Sequence, residues 1–119
     1  MTIDDLAEKV RVALESADLG AYQELLAPDV HWGPPDSPEW GCRNRNEVLS
    51  WYKQARDGGM SARVTEVVVG PECLLVGLEV SGREASQRWQ VLRIQGGLIA
   101  DIAGFDSRDQ AAARAGVDA

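Results

Sequence analysis

The stretch of sequence around which the chain is organised reads Leu25-Leu26-Ala27-Pro28-Asp29-Val30-His31-Trp32-Gly33-Pro34-Pro35. Its first residues are apolar, and Pro28 predicts the end of a helix because proline lacks the backbone donor that a helix interior needs. Val30 to Trp32 has the composition of a short strand. Residues 33–41 contain three prolines, which is typical of a loop. A helix, a strand and a loop therefore meet here, and we interpret this point as the rim of a pocket.

Two helices are predicted before this stretch. Apolar residues recur at helical spacing from Ile3 to Ala17, and Thr2 is a suitable N-cap. Asp18-Leu19-Gly20 interrupts the pattern, and a short second helix is expected over residues 21–26.

The chain after the loop changes from helical to strand periodicity. A third helix, capped by Asn44 or Asn46, is expected to end at Asp57-Gly58-Gly59. Period-two patterns then predict four strands, with a possible bulge near Glu66; they cover about residues 61–70, 73–80, 86–94 and 98–105. A small Ala-rich tail helix follows, capped by Ser107 and ended by Gly116.

Helices followed by a run of strands indicate an α+β fold. We expect one domain, residues 1–119, with a cone-shaped curved antiparallel sheet wrapped around three N-terminal helices and a small C-terminal helix. The strands are more apolar than one core requires, so we also expect a homodimer through the outer sheet face. The residues that suggest it are Leu74, Val76, Leu78, Val80, Trp89 and Val91.

The composition is that of a globular protein with an acidic surface. The 119 residues include 19 acidic and 12 basic ones, a formal net charge of −7. Such a charge argues against binding nucleic acid or an anionic membrane. No signal-peptide pattern or membrane-spanning run is recognised, so we expect a cytoplasmic protein. Cys42 and Cys73 are too far apart for a zinc or redox motif, and no metal, nucleotide or other cofactor motif is found.

The order of these landmarks resembles the SnoaL-like branch of the nuclear transport factor 2-like superfamily. The resemblance is carried by Ala17-Asp18-Leu19 with its following helix, by Ala27 to Trp32, by Asn46 to Tyr52, and by Gly97-Leu98-Ile99 and Gly104-Phe105-Asp106. It implies a cone-shaped fold with a pocket. It does not imply one activity, because this fold hosts isomerases, cyclases, hydrolases, dehydratases and non-catalytic binding domains.

The catalytic residues of the known enzymes of this superfamily do not carry over. Pro34 stands where a ketosteroid isomerase has its general base, Val10 where it has its oxyanion tyrosine, and Gln90 where it has a protonated aspartate. No strand carries the Arg-x-Asp of limonene epoxide hydrolases. Scytalone dehydratases use histidines, and this chain has only His31.

Asp106 is the candidate catalytic acid or base, because the resemblance places a polyketide-cyclase-type acid at the end of the last strand. Proton abstraction beside a carbonyl needs a carboxylate in an apolar pocket, where desolvation raises its pKa. The alternative is that Asp106 caps the tail helix together with Ser107. Strand alternation directs His31 away from the face of Trp32, which favours a structural role for it.

The candidate ligand-binding residues are aromatic and polar: Trp32, Trp40, Trp51, Tyr52, Arg88 and Gln90. Aromatic residues around the loop suit a planar or polycyclic ligand, or they are ordinary core. Arg88 and Gln90 orient a ligand if they point inward. If they point outward, Arg88 forms a surface ion pair, with Glu79 opposite it in one register.

Two functions remain open at this point. One is a cofactor-free isomerase, cyclase or hydrolase in which Asp106 acts as acid or base and Gln90 or Tyr52 donates to an oxyanion. The other is a binding or accessory domain that holds an apolar metabolite without converting it.

Overall fold

The computed structural model of the protein describes residues 2–16, 18–33, 42–82 and 86–117. Its helices are α1 (Ile3–Ser16), α2 (Leu19–Gln23), α3 (Arg45–Asp57) and α4 (Arg108–Ala115). Its strands are β1 (Leu26–Trp32), β2 (Ser61–Gly70), β3 (Cys73–Ser81), β4 (Ser86–Gln95) and β5 (Leu98–Phe105). This is the α+β order that the sequence predicts, with three helices ahead of the antiparallel strands.

Three of the four described helices begin at predicted capping residues, whereas α2 is capped by Asp18, which was expected only to interrupt the helical pattern. Thr2, Asn44 and Ser107 each accept a hydrogen bond from the backbone N–H three residues on, at 3.1, 2.9 and 3.4 Å. These bonds satisfy donors that a first helical turn leaves without partners. Gly116 ends α4 with φ 72°, a left-handed conformation that costs a glycine little.

One curved, unclosed sheet holds all five strands in the order β1-β5-β4-β3-β2. The four later strands pair antiparallel, as predicted, but β1 pairs parallel with β5, so the sheet is mixed at one edge. The predicted bulge is confirmed, because the register of β2 shifts between Val64 and Glu66. A second shift, between Arg93 and Ile94, interrupts the β4–β5 pairing. Bulges of this kind increase twist and bend the strands that carry them.

The region around Pro28 differs from the prediction. Helix α2 ends at Gln23, and Pro28 lies inside β1 rather than at the end of a helix. A proline is tolerated there for two reasons: β1 is an edge strand, and its register with β5 shifts between Leu26 and His31. The missing N–H therefore removes no bond that a central strand would need.

The sheet is covered on both faces by the same chain. Its inner face packs on α1, α2 and α3, and Leu74, Val76, Leu78 and Val80 belong to that core. Its outer face carries α4, with Leu75, Val91, Ala111 and Ala115 forming a second buried cluster on which Trp89 packs. The apolar residues that suggested a dimer are thus divided between two faces and have partners within one chain. Dimerisation stays a prediction, without the support of a surplus of apolar residues.

Candidate functional site

A cavity of about 380 Å³ lies between the inner face of the sheet and the N-terminal helices. This volume is in the range of pockets that hold small organic ligands, about 300–1,000 Å³. Helices and strands contribute to it jointly, so its shape depends on how they pack. Its described lining consists of Ala13, Leu14, Leu19, Tyr22, Trp32, Trp51, Tyr52, Ala55, Arg56, Met60, Ser61, Ala62, Leu78, Val80, Ser86, Arg88, Trp89, Gln90 and Gly104.

Four aromatic rings in contact form one wall of the cavity. Trp32 stacks on Tyr52 with ring centroids 5.0 Å apart and planes 18° from parallel. Trp51 meets Trp32 edge to face at 4.6 Å, and Tyr22 meets Tyr52 in the same way at 5.4 Å. Offset stacks and edge contacts are the favoured geometries of aromatic pairs and hold the rings in place. The wall therefore presents apolar ring surface to the cavity in a fixed arrangement.

The closed end of the cavity contains three buried polar groups. Gln90 is 6% exposed, and its Nε2 donates to Tyr52 Oη at 3.5 Å, the long limit of a hydrogen bond. Gln90 Oε1 is buried without a hydrogen-bond partner among the described residues. Tyr22 Oη makes no hydrogen bond of good geometry there, but it lies near enough to the Tyr52 hydroxyl for each phenol to affect the pKa of the other. Burial raises the pKa of Tyr22 well above its ordinary value, and burial likewise raises the pKa of Tyr52. Both phenols therefore keep their protons at neutral pH and remain donors.

Two arginines line the exposed part of the cavity, and each is paired with an aspartate. The side chains of Arg88 and Arg56 are 50% and 44% exposed, and both line the cavity. Arg88 Nη1 lies 2.5 Å from Asp106 Oδ1, and Arg56 Nε lies 3.6 Å from Asp57 Oδ1. These two arginines are the only charged residues in the described lining.

Asp106, the candidate acid, does not belong to the described lining. Its side chain is 82% exposed and pairs with Arg88 outside the aromatic wall. The helix cap that we considered as its alternative role is provided by Ser107. The Asp106 carboxylate is thus exposed to solvent and does not lie in the apolar pocket that the predicted role requires.

The structure places most of the predicted ligand-binding residues together. Trp32, Trp51, Tyr52, Arg88 and Gln90 all line the cavity, whereas Trp40 lies outside the described residues.

The strand register decides the orientation of the polar strand residues. Leu78 stands opposite Arg88, and Glu79 stands opposite Gln87, so the pairing of Glu79 with Arg88 does not occur. Glu79 instead pairs with Arg63 at 3.3 Å. Arg88 and Gln90 lie two residues apart on β4 and share the inner face.

His31 is bonded on the sheet rather than placed in the cavity. Its Nδ1 lies 3.1 Å from Asp101 Oδ1, and both side chains are about a quarter exposed or less. It is not part of the described lining. This location agrees with the structural role that strand alternation favours.

Most of the lining was not singled out from the sequence as ligand-binding, and the missed residues include Tyr22, Arg56 and Met60. Tyr22 sits on the apolar stripe of the second helix, where an aromatic residue resembles ordinary core. Only the contact between α2 and α3 reveals that its hydroxyl lies at the closed end of a cavity.

Other kinds of site find little support in the described residues. No three His, Cys, Asp or Glu side chains of that part of the chain are grouped as metal ligands. Cys42 and Cys73 are free, and burial raises the pKa of each thiol, which disfavours the reactive thiolate. None of the helices in the described part is long and apolar enough to cross a membrane.

The sequence matches a model of the SnoaL-like domain family over residues 7–102. No match was found among the curated proteins.

Many solved structures share the fold. A candidate ketosteroid isomerase from Kribbella flavida superposes with a TM-score of 0.73 at 22% identity, covering 87% of this chain and 76% of its own. A candidate polyketide cyclase from Sinorhizobium meliloti gives 0.70 at 23% identity, covering 85% and 94%. A protein of unknown function from Cytophaga hutchinsonii, similar to nuclear transport factor 2, gives 0.74 at 10% identity, covering 92% and 94%. At these identities the likeness establishes the fold and not a shared reaction.

Proposed function

The chain belongs to the SnoaL-like domain family, and from this premise we propose that it binds a flat, apolar small molecule in its aromatic cavity. The observation that carries the proposal is the combination of a packed aromatic wall with a buried amide oxygen, Gln90 Oε1, that has no partner among the described residues. A buried oxygen without a partner costs roughly 1–3 kcal/mol. Such a cost is commonly tolerated at sites where a ligand supplies the missing partner.

A ligand can reach this oxygen with a small movement of the protein. The terminal torsion of a glutamine side chain is soft, so the Gln90 amide can turn toward the cavity. The phenol of Tyr52 already bonds to that amide. A carbonyl or hydroxyl group on an otherwise apolar ligand fits this end.

The charged residues of the described lining favour ligand binding without chemical conversion. The described lining contains no carboxylate, and the described histidine lies elsewhere on the sheet. A general base must come within hydrogen-bond reach of the proton that it removes.

The experiment is a thermal-shift screen with polycyclic ketones, phenols and aromatic acids. Ligand at about 100 Kd stabilises by about 2.7 kcal/mol. Ala55→Trp fills the cavity from α3, and Gln54→Trp places the same side chain on the exposed face of that helix. Hits that Ala55→Trp abolishes and Gln54→Trp retains support the proposal. Hits that both variants retain would place binding elsewhere and contradict it.

An isomerase- or cyclase-type enzyme is the second candidate, favoured by the protonated phenols beside Gln90. Tyr22, Tyr52 and Gln90 would donate hydrogen bonds to the oxygen of a developing enolate. Asp106 would then have to approach the substrate by leaving Arg88. Deuterium incorporation into a bound ketone in heavy water measures this activity directly. Exchange that Asp106→Asn abolishes would establish the enzyme, and no exchange in the wild type would leave binding alone.

A further inference from the structure

The cavity combines an apolar wall with two arginines at its mouth, the exposed part of the cavity, in a protein whose net charge is −7. Arg88 and Arg56 are the only charged residues of the described lining, and their aspartate partners do not belong to it. A purely apolar ligand would gain nothing from two guanidinium groups at the entrance. The charge pattern therefore carries information about the ligand that the aromatic wall does not.

Arg88 is suited to hold an anionic group of a ligand. It lies on β4, two residues from Gln90 on the same face, which separates the two side chains by about 7 Å along the strand. Its Nη1 pairs with Asp106, the one ion pair found for Arg88 among the described residues. The rest of its planar fork of donors matches the geometry of a carboxylate.

The partner of Arg88 is one that a ligand can replace. Asp106 is 82% exposed, and exposed ion pairs contribute little because water and salt screen them. Replacing Asp106 by a ligand carboxylate as the partner of Arg88 therefore changes the free energy of the ion pair little. The apolar body of the ligand, buried against Trp32 and Trp51, would decide the outcome.

We propose that the ligand is an amphipathic aromatic acid, whose ring system lies on the aromatic wall and whose carboxylate displaces Asp106 from Arg88. The inference rests on the proposed binding function and adds the chemical class of the ligand. Its second polar group, a hydroxyl or carbonyl at the far end of the ring system from the acid, meets Gln90 and Tyr52. Asp106 acts in this account as an internal competitor and not as a catalytic group.

The test compares 6-hydroxy-2-naphthoate, whose two polar groups lie at opposite ends of the rings, with 6-hydroxy-2-naphthamide by isothermal titration calorimetry. The two probes share a ring system and differ in the negative charge. Arg88→Gln removes the cation at the mouth, and its matched control is Arg93→Gln. Arg93 lies on the same strand, is exposed, and is not part of the described lining.

The expected result is a charge-specific loss. Arg88→Gln weakens the acid about three- to fivefold, equivalent to up to about 1 kcal/mol for an exposed ion pair, and leaves the amide unchanged, because only the acid uses the guanidinium. Arg93→Gln leaves both probes unchanged. Raising NaCl from about 20 to about 300 mM weakens the acid and not the amide. Asp106→Asn tightens the acid about two- to fivefold by removing the competitor.

Each contrary result has a distinct meaning. Equal affinity of acid and amide for the wild type, with equal loss in Arg88→Gln, would overturn the anionic ligand while leaving cavity binding intact. Weaker binding of the acid by Asp106→Asn would refute the competition. Binding of neither probe to the wild type, together with an empty thermal-shift screen, would refute the proposed function itself.

Discussion

Replacing Gln90 by methionine tests whether the polar end of the cavity serves a ligand or the fold. Methionine has nearly the length and volume of glutamine and carries no amide. The amide is almost fully buried, makes one hydrogen bond at 3.5 Å, and leaves Oε1 without a partner among the described residues. An amide in this position adds little to the stability of the folded state, and its burial costs the free energy of removing it from water.

The magnitude follows from these two opposing contributions. Relieving an unsatisfied buried acceptor gains about 1–3 kcal/mol, and losing a marginal hydrogen bond forfeits about 0.5–1 kcal/mol. Gln90→Met is therefore expected to stabilise the ligand-free protein by about 1 kcal/mol. With about 2.1 cal/mol/K of unfolding entropy per residue, a chain of 119 residues should gain about 4 °C in Tm. The same variant should bind the ligand several-fold more weakly.

Urea unfolding and calorimetry of the ligand-free protein measure the first effect. Leu92→Met is the matched control, because Leu92 lies two residues away on the same strand and is 0% exposed. That swap is expected to cost up to about 1.5 kcal/mol, since it replaces one well-packed apolar side chain by another. A loss of 1 kcal/mol or more in Gln90→Met would refute the reasoning, because it would mean that the amide stabilises the fold.

Three further predictions concern charge and packing. Asp106→Asn should change the free energy of unfolding by less than about 0.5 kcal/mol in urea, because an exposed ion pair contributes little; a larger loss would show a structural role. The Arg108 guanidinium, which donates to Glu66 at 2.6 and 3.3 Å, lowers the pKa of that carboxyl from its ordinary value of 4.5. The stability that this pair contributes is therefore present above about pH 4.5 and is lost as the pH falls through the lowered pKa. Glu66→Gln should therefore make the free energy of unfolding depend less on pH between about pH 6 and about pH 3. Gly70→Ala should cost about 1–3 kcal/mol, because its Cβ would come within 2.8 Å of backbone at the end of α4, whereas Gly104→Ala, with open space around it, should be neutral in the same urea assay.

Local signals were sufficient for most of the secondary structure. The caps at Thr2, Asn44 and Ser107 and the change of period at Ser61 predicted element boundaries that the structure matches closely. These features depend on a few neighbouring residues, so they can be read along the chain. Pro28 was misread because its meaning depends on whether the strand is central or at an edge, and pairing partners distant in sequence decide that.

Some residues of the candidate site could be predicted from the sequence, but their arrangement in space could not. The sequence identified Trp32, Trp51, Tyr52, Arg88 and Gln90, and the resemblance supplied their shared location. The relation of Arg88 to Asp106, and the exposure of that carboxylate, depend on how β5 leaves the sheet. No sequence pattern predicts the direction that the chain takes after β5.

The amino-acid sequence by itself determined the α+β class, the order of elements, the family resemblance and an apolar pocket with an aromatic rim. Periodicity and capping act over a few residues, and their physical causes are present in any short segment. Only the tertiary structure decided which strand residues face inward, because a one-residue slip in register reverses every side chain of a strand. It also decided that α4 covers the outer face and that the charges lining the described cavity are arginines. Those decisions depend on pairings between segments far apart in the chain, and the candidate function depends on them.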